Sequence, residues 1–343
     1  MFKIALKDIN KLFSAFSKEN AVYAPVKEGG LSNYKIWDEE KEVCLTDLNT
    51  VKSPKDIFFP QTENLVAFKR GDKTLDIIEN RDPSEPAVVF GVRACDLKGF
   101  EVLDKVFLAE PADTYYAERR SKVAIVALAC GEPEETCFCT TFGIDPTNPV
   151  ADATAWIVDD ELYIKADTDK GKKLLELAGG VLSDADDAKV KAQQENVNKI
   201  LAELPFGNLN LEGFDGDHMM EKFNSEKWKE LSSSCIGCGT CTFVCPTCQC
   251  YDIRDFDTGN GIKRFRCWDS CMYSDFTKMA HGNPRTSQVE RFRQRFMHKL
   301  VYFPANNDGM YSCVGCGRCL QKCPVSMNIV KVIKALGVES NEK

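Results

Sequence analysis

The feature that most restricts this chain is a cysteine run that occurs twice. Cys235, Cys238, Cys241 and Cys245 are followed by Pro246, and Cys313, Cys316, Cys319 and Cys323 are followed by Pro324. Each run has gaps of two, two and three residues before the proline. Three cysteines at this spacing let a tight loop wrap one cubane of iron and sulfide, whose corners need four thiolates. The fourth cysteine of such a run is aimed at the other cluster of a pair. Cys235, Cys238, Cys241 and Cys323 are therefore expected to hold one [4Fe–4S] cluster, and Cys313, Cys316, Cys319 and Cys245 a second. Zinc is the competing metal, but zinc sites use paired Cys-x-x-Cys units without a third and fourth cysteine at these offsets. Gly237, Gly239, Gly315 and Gly317 sit between ligands, where backbone amides must approach the sulfides closely.

The two runs are far apart, with 67 residues between Cys245 and Cys313. This insert reads as helical. Asn283-Pro284-Arg285 marks a turn, and apolar residues then recur at 289, 292, 296, 297, 300 and 301, which is helix spacing. Arg291, Arg293, Arg295 and Lys299 are expected mostly on the opposite faces. Residues 261–300 carry nine Lys or Arg against three Asp or Glu. Such a basic stretch can dock an acidic partner, offset the charge of thiolate-bound iron, or simply form a solvated helix face.

The N-terminal half has a different grammar. Residues 1–16 read as an amphipathic helix with Ile9, Leu12, Phe13 and Phe16 on one side. Ala87–Ala94 and Lys122–Ala129 are short apolar runs rich in Val or Ile, as buried parallel strands are. Between them Leu97, Phe100, Leu103, Val106 and Phe107 recur at helix spacing. A strand–helix–strand unit follows, with both strands ending on one sheet edge, the edge where open α/β sheets bind ligands. Cys95 and Cys130 end those strands, and Cys137 and Cys139 lie in the next loop. The four suggest a third [4Fe–4S] site; buried, redox-inert cysteine is the alternative. The expected fold is α+β: an α/β domain with a partly parallel sheet over 1–210, then a mainly helical, ferredoxin-like dicluster domain over 211–343. Turn residues at 204–217 mark the linker.

Composition closes off several function classes. The net charge of −8 argues against general nucleic-acid binding. No uncharged apolar run approaches the ~18 residues of a membrane span. The first ten residues have no signal-peptide core, so a cytoplasmic, reducing location is expected, where seventeen cysteines are better employed on metal than in disulfides. The excess of acids over bases in 151–231, eighteen against ten, reads as solvated surface. Cys44, Cys248, Cys250, Cys267 and Cys271 are left over; they could bind a further metal or, more simply, pack beside the clusters and tune them. There is no dinucleotide-binding glycine motif, P-loop or tandem Cys-Cys-Gly, and His218, His281 and His298 do not cluster.

Gly91-Val-Arg-Ala-Cys95-Asp96-Leu, Cys137-Phe-Cys139, Cys245-Pro-Thr-Cys248, Trp268-Asp269-Ser270-Cys271 and Arg293-Gln-Arg-Phe-Met-His298-Lys299 occur in order along nearly the whole chain. Together they resemble the iron–sulfur subunits of two related systems. One system is anaerobic sulfite reductase. The other is the cytoplasmic sulfhydrogenases, nickel–iron hydrogenases in which this is the β subunit. The resemblance implies a non-catalytic subunit that relays electrons between a flavoprotein handling NAD(P)H and a catalytic subunit, either a sirohaem sulfite reductase or a nickel–iron hydrogenase. It also implies metal ligation by Cys95, Cys137 and Cys139. No sirohaem is expected on this chain, because six residues separate Cys130 from Cys137 where the sirohaem pattern has five. A self-sufficient reductase with substrate at the N-terminal sheet edge is the alternative.

Overall fold

The computed structural model describes residues 1–70, 74–79 and 81–337. Among them are strands β1 (Phe2–Ala5), β2 (Ala21–Glu28), β3 (Leu31–Ile36), β4 (Thr62–Arg70), β5 (Leu75–Glu79), β6 (Ala87–Val92), β7 (Val123–Leu128), β8 (Ala153–Val158), β9 (Glu161–Ala166), β10 (Ser183–Asp184), β11 (Tyr251–Asp257) and β12 (Gly261–Trp268). Eight of them form one sheet in the order β10-β1-β9-β8-β7-β6-β2-β3. The central β2, β6, β7 and β8 are parallel, and the outer strands are antiparallel.

The centre of this sheet is covered on both sides, which is why its strands are apolar throughout rather than alternating. Every residue of β6 and β7 is buried. Val88, Phe90, Ala124, Val126 and Leu128 face the helices Ile9–Phe16 and Asp169–Leu177. Val89, Val92, Val123 and Ile125 face Phe100, Leu103 and Phe107 of the helix Ala94–Phe107. Full burial of side chains of this size stabilises the fold by roughly 1.5–3 kcal/mol each. Gly91, at φ +90°, carries the register shift between Phe90 and Val92, so these two residues face opposite layers although they are two apart.

Two expectations from sequence are corrected here. The helix over 1–16 begins only at Ile9, and Phe2–Ala5 is instead a strand paired with β9. That partner lies some 160 residues downstream, beyond any local signal. The insert between the cysteine runs is also not wholly helical: its first part is the β11–β12 hairpin. Residues 251–257 and 261–268 are joined by Thr258-Gly259-Asn260, a short glycine-containing loop of the kind that links hairpin strands. β12 pairs with β4, giving a second, antiparallel sheet in the order β11-β12-β4-β5. Strands from before and after residue 210 thus share one sheet. Glu63 of β4 meets Arg266 of β12 and Arg119 of the helix Thr114–Lys122, all three in the interior or nearly so.

The helices of the C-terminal part lie outside this hairpin. Ser287 opens the helix Gln288–Met297 with a capping box: its Oγ accepts from the Glu290 N–H at 3.3 Å, and the Glu290 carboxylate accepts from the Ser287 N–H at 2.7 Å. The helix continues through a π turn, His298–Tyr302, into Phe303–Asn306. Phe292, Phe296, Leu300 and Val301 pack there against Ile329, Val330, Val332 and Ile333 of the helix Ile329–Leu336. The connection near residue 210 is pinned: Thr140 and Thr141 donate to the carbonyls of Gly207 and Phe206 at 2.7 and 2.9 Å. No helix among the described residues is long and apolar enough to cross a membrane.

Candidate metal centres

Each cysteine run folds as a loop followed by a short helix. Gly239 and Gly317, both at positive φ, precede the turns Thr240–Phe243 and Arg318–Gln321, and the third cysteine of each run lies within its turn. The fourth then lies just beyond, where it can reach across to the other loop. The cavities follow this crossing. An outer cavity is lined by Cys235, Cys238, Cys241 and Cys323, and a middle cavity by Cys313, Cys316, Cys319 and Cys245.

A third cavity lies at the C-terminal edge of β6 and β7. It is lined by Cys95, which begins the helix after β6, by Cys130, which follows β7, and by Cys137 and Cys139 from the next loop. Gly315 and Cys316 form part of its wall, and they also line the middle cavity. The approach is close: the Phe138 N–H donates to the Gly315 carbonyl at 2.9 Å. Gly315 sits at φ +60°, and a Cβ there would collide with the Phe138 carbonyl and the Cys139 nitrogen. The outer and middle cavities also share a wall, formed by Arg295. The three cavities therefore run in series.

The surroundings suit an anionic group. Lys55, Arg295 and Lys299 are each less than 5 % exposed, and none has a carboxylate partner among the described residues. Buried charges are ordinarily paired, so three cations converging on thiols mark a site for negative charge. Lys55 Nζ donates to the carbonyls of Cys245 and Cys248, both at 2.8 Å. Lys299 Nζ donates to Thr247 Oγ1 at 2.6 Å and to the Ser312 carbonyl at 3.2 Å, and Thr247 Oγ1 lies 3.2 Å from Cys245 Sγ. Among the described residues Arg295 Nε has no hydrogen-bond partner. Burial opposes the charge on Lys299 and Arg295, but the neighbouring cysteines outweigh it and hold both above their ordinary pKa.

The thiols themselves are held back by burial, which pushes Cys313 and Cys139 up to about 12 and Cys137 and Cys241 up to about 11. Cys245 is the contrast: a hydrogen bond from Cys248, followed by Lys299 and Lys55, draws it well below the ordinary thiol range. Four buried thiols become thiolates together only where metal supplies positive charge. Among the described residues no three His, Cys, Asp or Glu side chains are gathered tightly enough to hold a single metal ion. Thiols spread around a cavity suit a cluster, with sulfide between its irons, better than a zinc ion at one point.

The chain matches the 4Fe-4S dicluster domain family over residues 234–327. It is also 30% identical over 325 residues, 94% of each chain, to sulfhydrogenase 2 subunit beta of Pyrococcus furiosus. The chain belongs to the sulfhydrogenase beta-subunit family. It is an iron–sulfur electron-transfer protein carrying [4Fe–4S] clusters, and the resemblance read from its motifs holds across nearly its whole length. No solved structure matches it.

Within this beta-subunit family member, one sequence expectation is reversed. Arg295 and Lys299 are buried against the cysteines, not on a solvated face. They stand three and seven positions after Phe292, and so fall on the buried stripe of the helix. Other residues carried too little signal to find. Asp96 follows Cys95, and Arg318 precedes Cys319; they form a buried ion pair with contacts of 2.6 and 2.8 Å, and Arg318 also donates to the Thr50 carbonyl at 2.9 Å. A charge beside a ligand in each half was the available hint. Arg93 lines the third cavity and donates to the carbonyls of Leu45, Asp47, Leu48 and Ala129. The leftover Cys44, Cys248, Cys250, Cys267 and Cys271 line none of the three cavities; Cys248 and Cys250 pair with Cys245 and Cys271.

Proposed function

We propose that this chain relays single electrons through three [4Fe–4S] clusters in series. Two belong to residues 211–343, held by Cys235, Cys238, Cys241 and Cys323 and by Cys245, Cys313, Cys316 and Cys319. The third belongs to residues 1–210, held by Cys95, Cys130, Cys137 and Cys139. The observation that carries this reading is the sharing of walls: Arg295 between outer and middle cavities, Gly315 and Cys316 between middle and N-terminal ones. A [4Fe–4S] cluster, once bound, accepts and returns one electron. The chain's own residues supply thiolates, exclude water with Phe138, Phe292 and Val314, and offset charge with buried cations.

A one-electron relay needs a partner at each end. We take these to be a flavoprotein that handles NAD(P)H and, because the Pyrococcus relative is named a sulfhydrogenase beta subunit, a nickel–iron hydrogenase catalytic subunit, with a sirohaem sulfite reductase as the other branch, all in the cytoplasm. A self-sufficient reductase is less well supported. A cleft of about 630 Å³ is lined by Tyr23, Tyr34, Asp56 and Glu85 at the opposite ends of the parallel strands, and no cysteine lines it. Iron analysis on anaerobically purified protein tests the cluster number: about twelve irons per chain are expected, and about eight would leave only the dicluster pair. Anaerobic co-purification tests the partners; turnover by the isolated chain with an artificial donor would favour the self-sufficient enzyme.

A further inference from the structure

The three cavities differ in the charges that face them. Arg295 lines both the outer and the middle cavity. Lys299 lines the middle cavity alone and reaches Cys245 through Thr247, with contacts of 2.6 and 3.2 Å. Neither cation is cancelled by a carboxylate among the described residues. At the N-terminal cavity the arrangement is different. Arg318 is paired with Asp96 through two contacts, at 2.6 and 2.8 Å, so the pair adds little net field. Arg93 lines this cavity too, hydrogen-bonded to backbone carbonyls, so the N-terminal site has a cation of its own, separate from Arg295 and Lys299.

A one-electron reduction adds one negative charge to a cluster, and a fixed cation nearby favours the reduced form. The effect is large only where burial keeps the local dielectric low and weakens with distance. Arg295 and Lys299 are both less than 5 % exposed, so neither is screened by solvent.

From this placement we propose that Arg295 and Lys299 are potential-setting residues of the relay: Arg295 raises the reduction potential of both the outer and the middle cluster, Lys299 raises that of the middle cluster alone, and the N-terminal cluster is insulated from both. The proposal rests on the assignment of three clusters given above. It makes Arg295 a shared counter-charge, which reduction of either flanking cluster draws upon.

The test is an anaerobic redox titration of the full chain with its clusters loaded, reduced stepwise by dithionite and followed by electron paramagnetic resonance. Cys238→Ala and Cys130→Ala assign the outer and N-terminal steps by removing them. Arg295→Met is expected to shift two reduction equilibria toward the oxidised form, each by about tenfold, or 59 mV for one electron. Lys299→Met is expected to shift one of those two by a similar factor. Lys299→Arg and Arg295→Lys, which keep the charge, are expected to stay within about threefold of the unaltered protein. Thr247→Val leaves the cation in place but breaks its link to Cys245; a smaller shift confined to the middle step is expected, and this variant serves if the methionine ones lose iron. Equal shifts in all three steps, or none in protein with full iron, would overturn the proposal. Eight irons and two steps in the unaltered protein would instead remove the third cluster, while the two-against-one pattern could still be read from the remaining steps.

Discussion

The dicluster cavities and the N-terminal cavity solve one problem in two ways. Each gathers four cysteines around a cavity. In the dicluster part, three of each four come from a single loop and the fourth crosses from its twin. In the N-terminal part, the four come from the ends of two parallel strands and one loop. The first arrangement is written into local spacing, so the loop is a cluster site wherever it sits. The second exists only once β6 and β7 are paired. Their charges come from different residues: Arg295 and Lys299 beside the dicluster cavities, Arg93 and the Arg318–Asp96 pair beside the N-terminal one. The N-terminal site is built on the edge of a sheet, whereas each dicluster loop leads into a four-residue helix.

The largest effect expected from this contrast concerns iron. Cys130→Ser is expected to remove about four irons per chain and leave the dicluster pair intact, because the sheet that carries Cys130 folds without it. Loss of all the iron, measured by metal analysis, would mean the two parts are not independent. Next comes the ion pair at the junction. Arg318→Met leaves Asp96 buried without a partner, and about 3–5 kcal/mol of stability is expected to go. Combining it with Asp96→Leu should restore most of that loss in denaturant unfolding; a double variant as weak as the single would show that the pair's charge is not what matters.

Gly315 probes the shared wall. Gly315→Val forces a branched side chain into positive φ against the Phe138 carbonyl, at a cost of roughly 1–3 kcal/mol. Its spectroscopic signature should appear at the middle and N-terminal sites, and a change confined to the outer one would break the series order.

Acid is expected to weaken the dicluster side first. Burial, then Lys299 and Arg285, depress His298 to about 4. Between the ordinary histidine value near 6.5 and about 4 the unfolded chain takes up a proton that the folded chain refuses. Stability therefore falls as pH drops through that window, by about 3 kcal/mol, and thermal unfolding should show this; His298→Phe should flatten the slope. The smallest effect is expected far from both sites. Arg264 and Asp255 pair at 2.8 Å across β11 and β12, both largely in solvent, and Arg264→Ala should cost less than about 1 kcal/mol.

Much of the molecule is legible in the order of its residues. The helix Gln288–Met297 and the strand–helix–strand unit around Cys95 follow from apolar periodicity. The β11–β12 hairpin is masked by the stronger helix pattern beyond it. Its glycine-containing turn is visible, but its partner β4 lies nearly two hundred residues earlier. Arg295 and Lys299 mislead because charge ordinarily signals exposure, although their positions after Phe292 put them on the buried face. Lys55 leaves no trace at all, since its hydrogen bonds are to carbonyls some 190 residues away.

By itself, the sequence determined the metal chemistry. Gaps of two and three residues set how closely thiols can approach within one loop, and that geometry is local enough to survive any fold. Only the tertiary structure decided which charges stand beside those thiols, which walls the cavities share, and where Cys95, Cys130, Cys137 and Cys139 meet. Those depend on contacts between residues far apart in the chain, made by burying apolar surface on both faces of one sheet, and no short stretch of sequence encodes them.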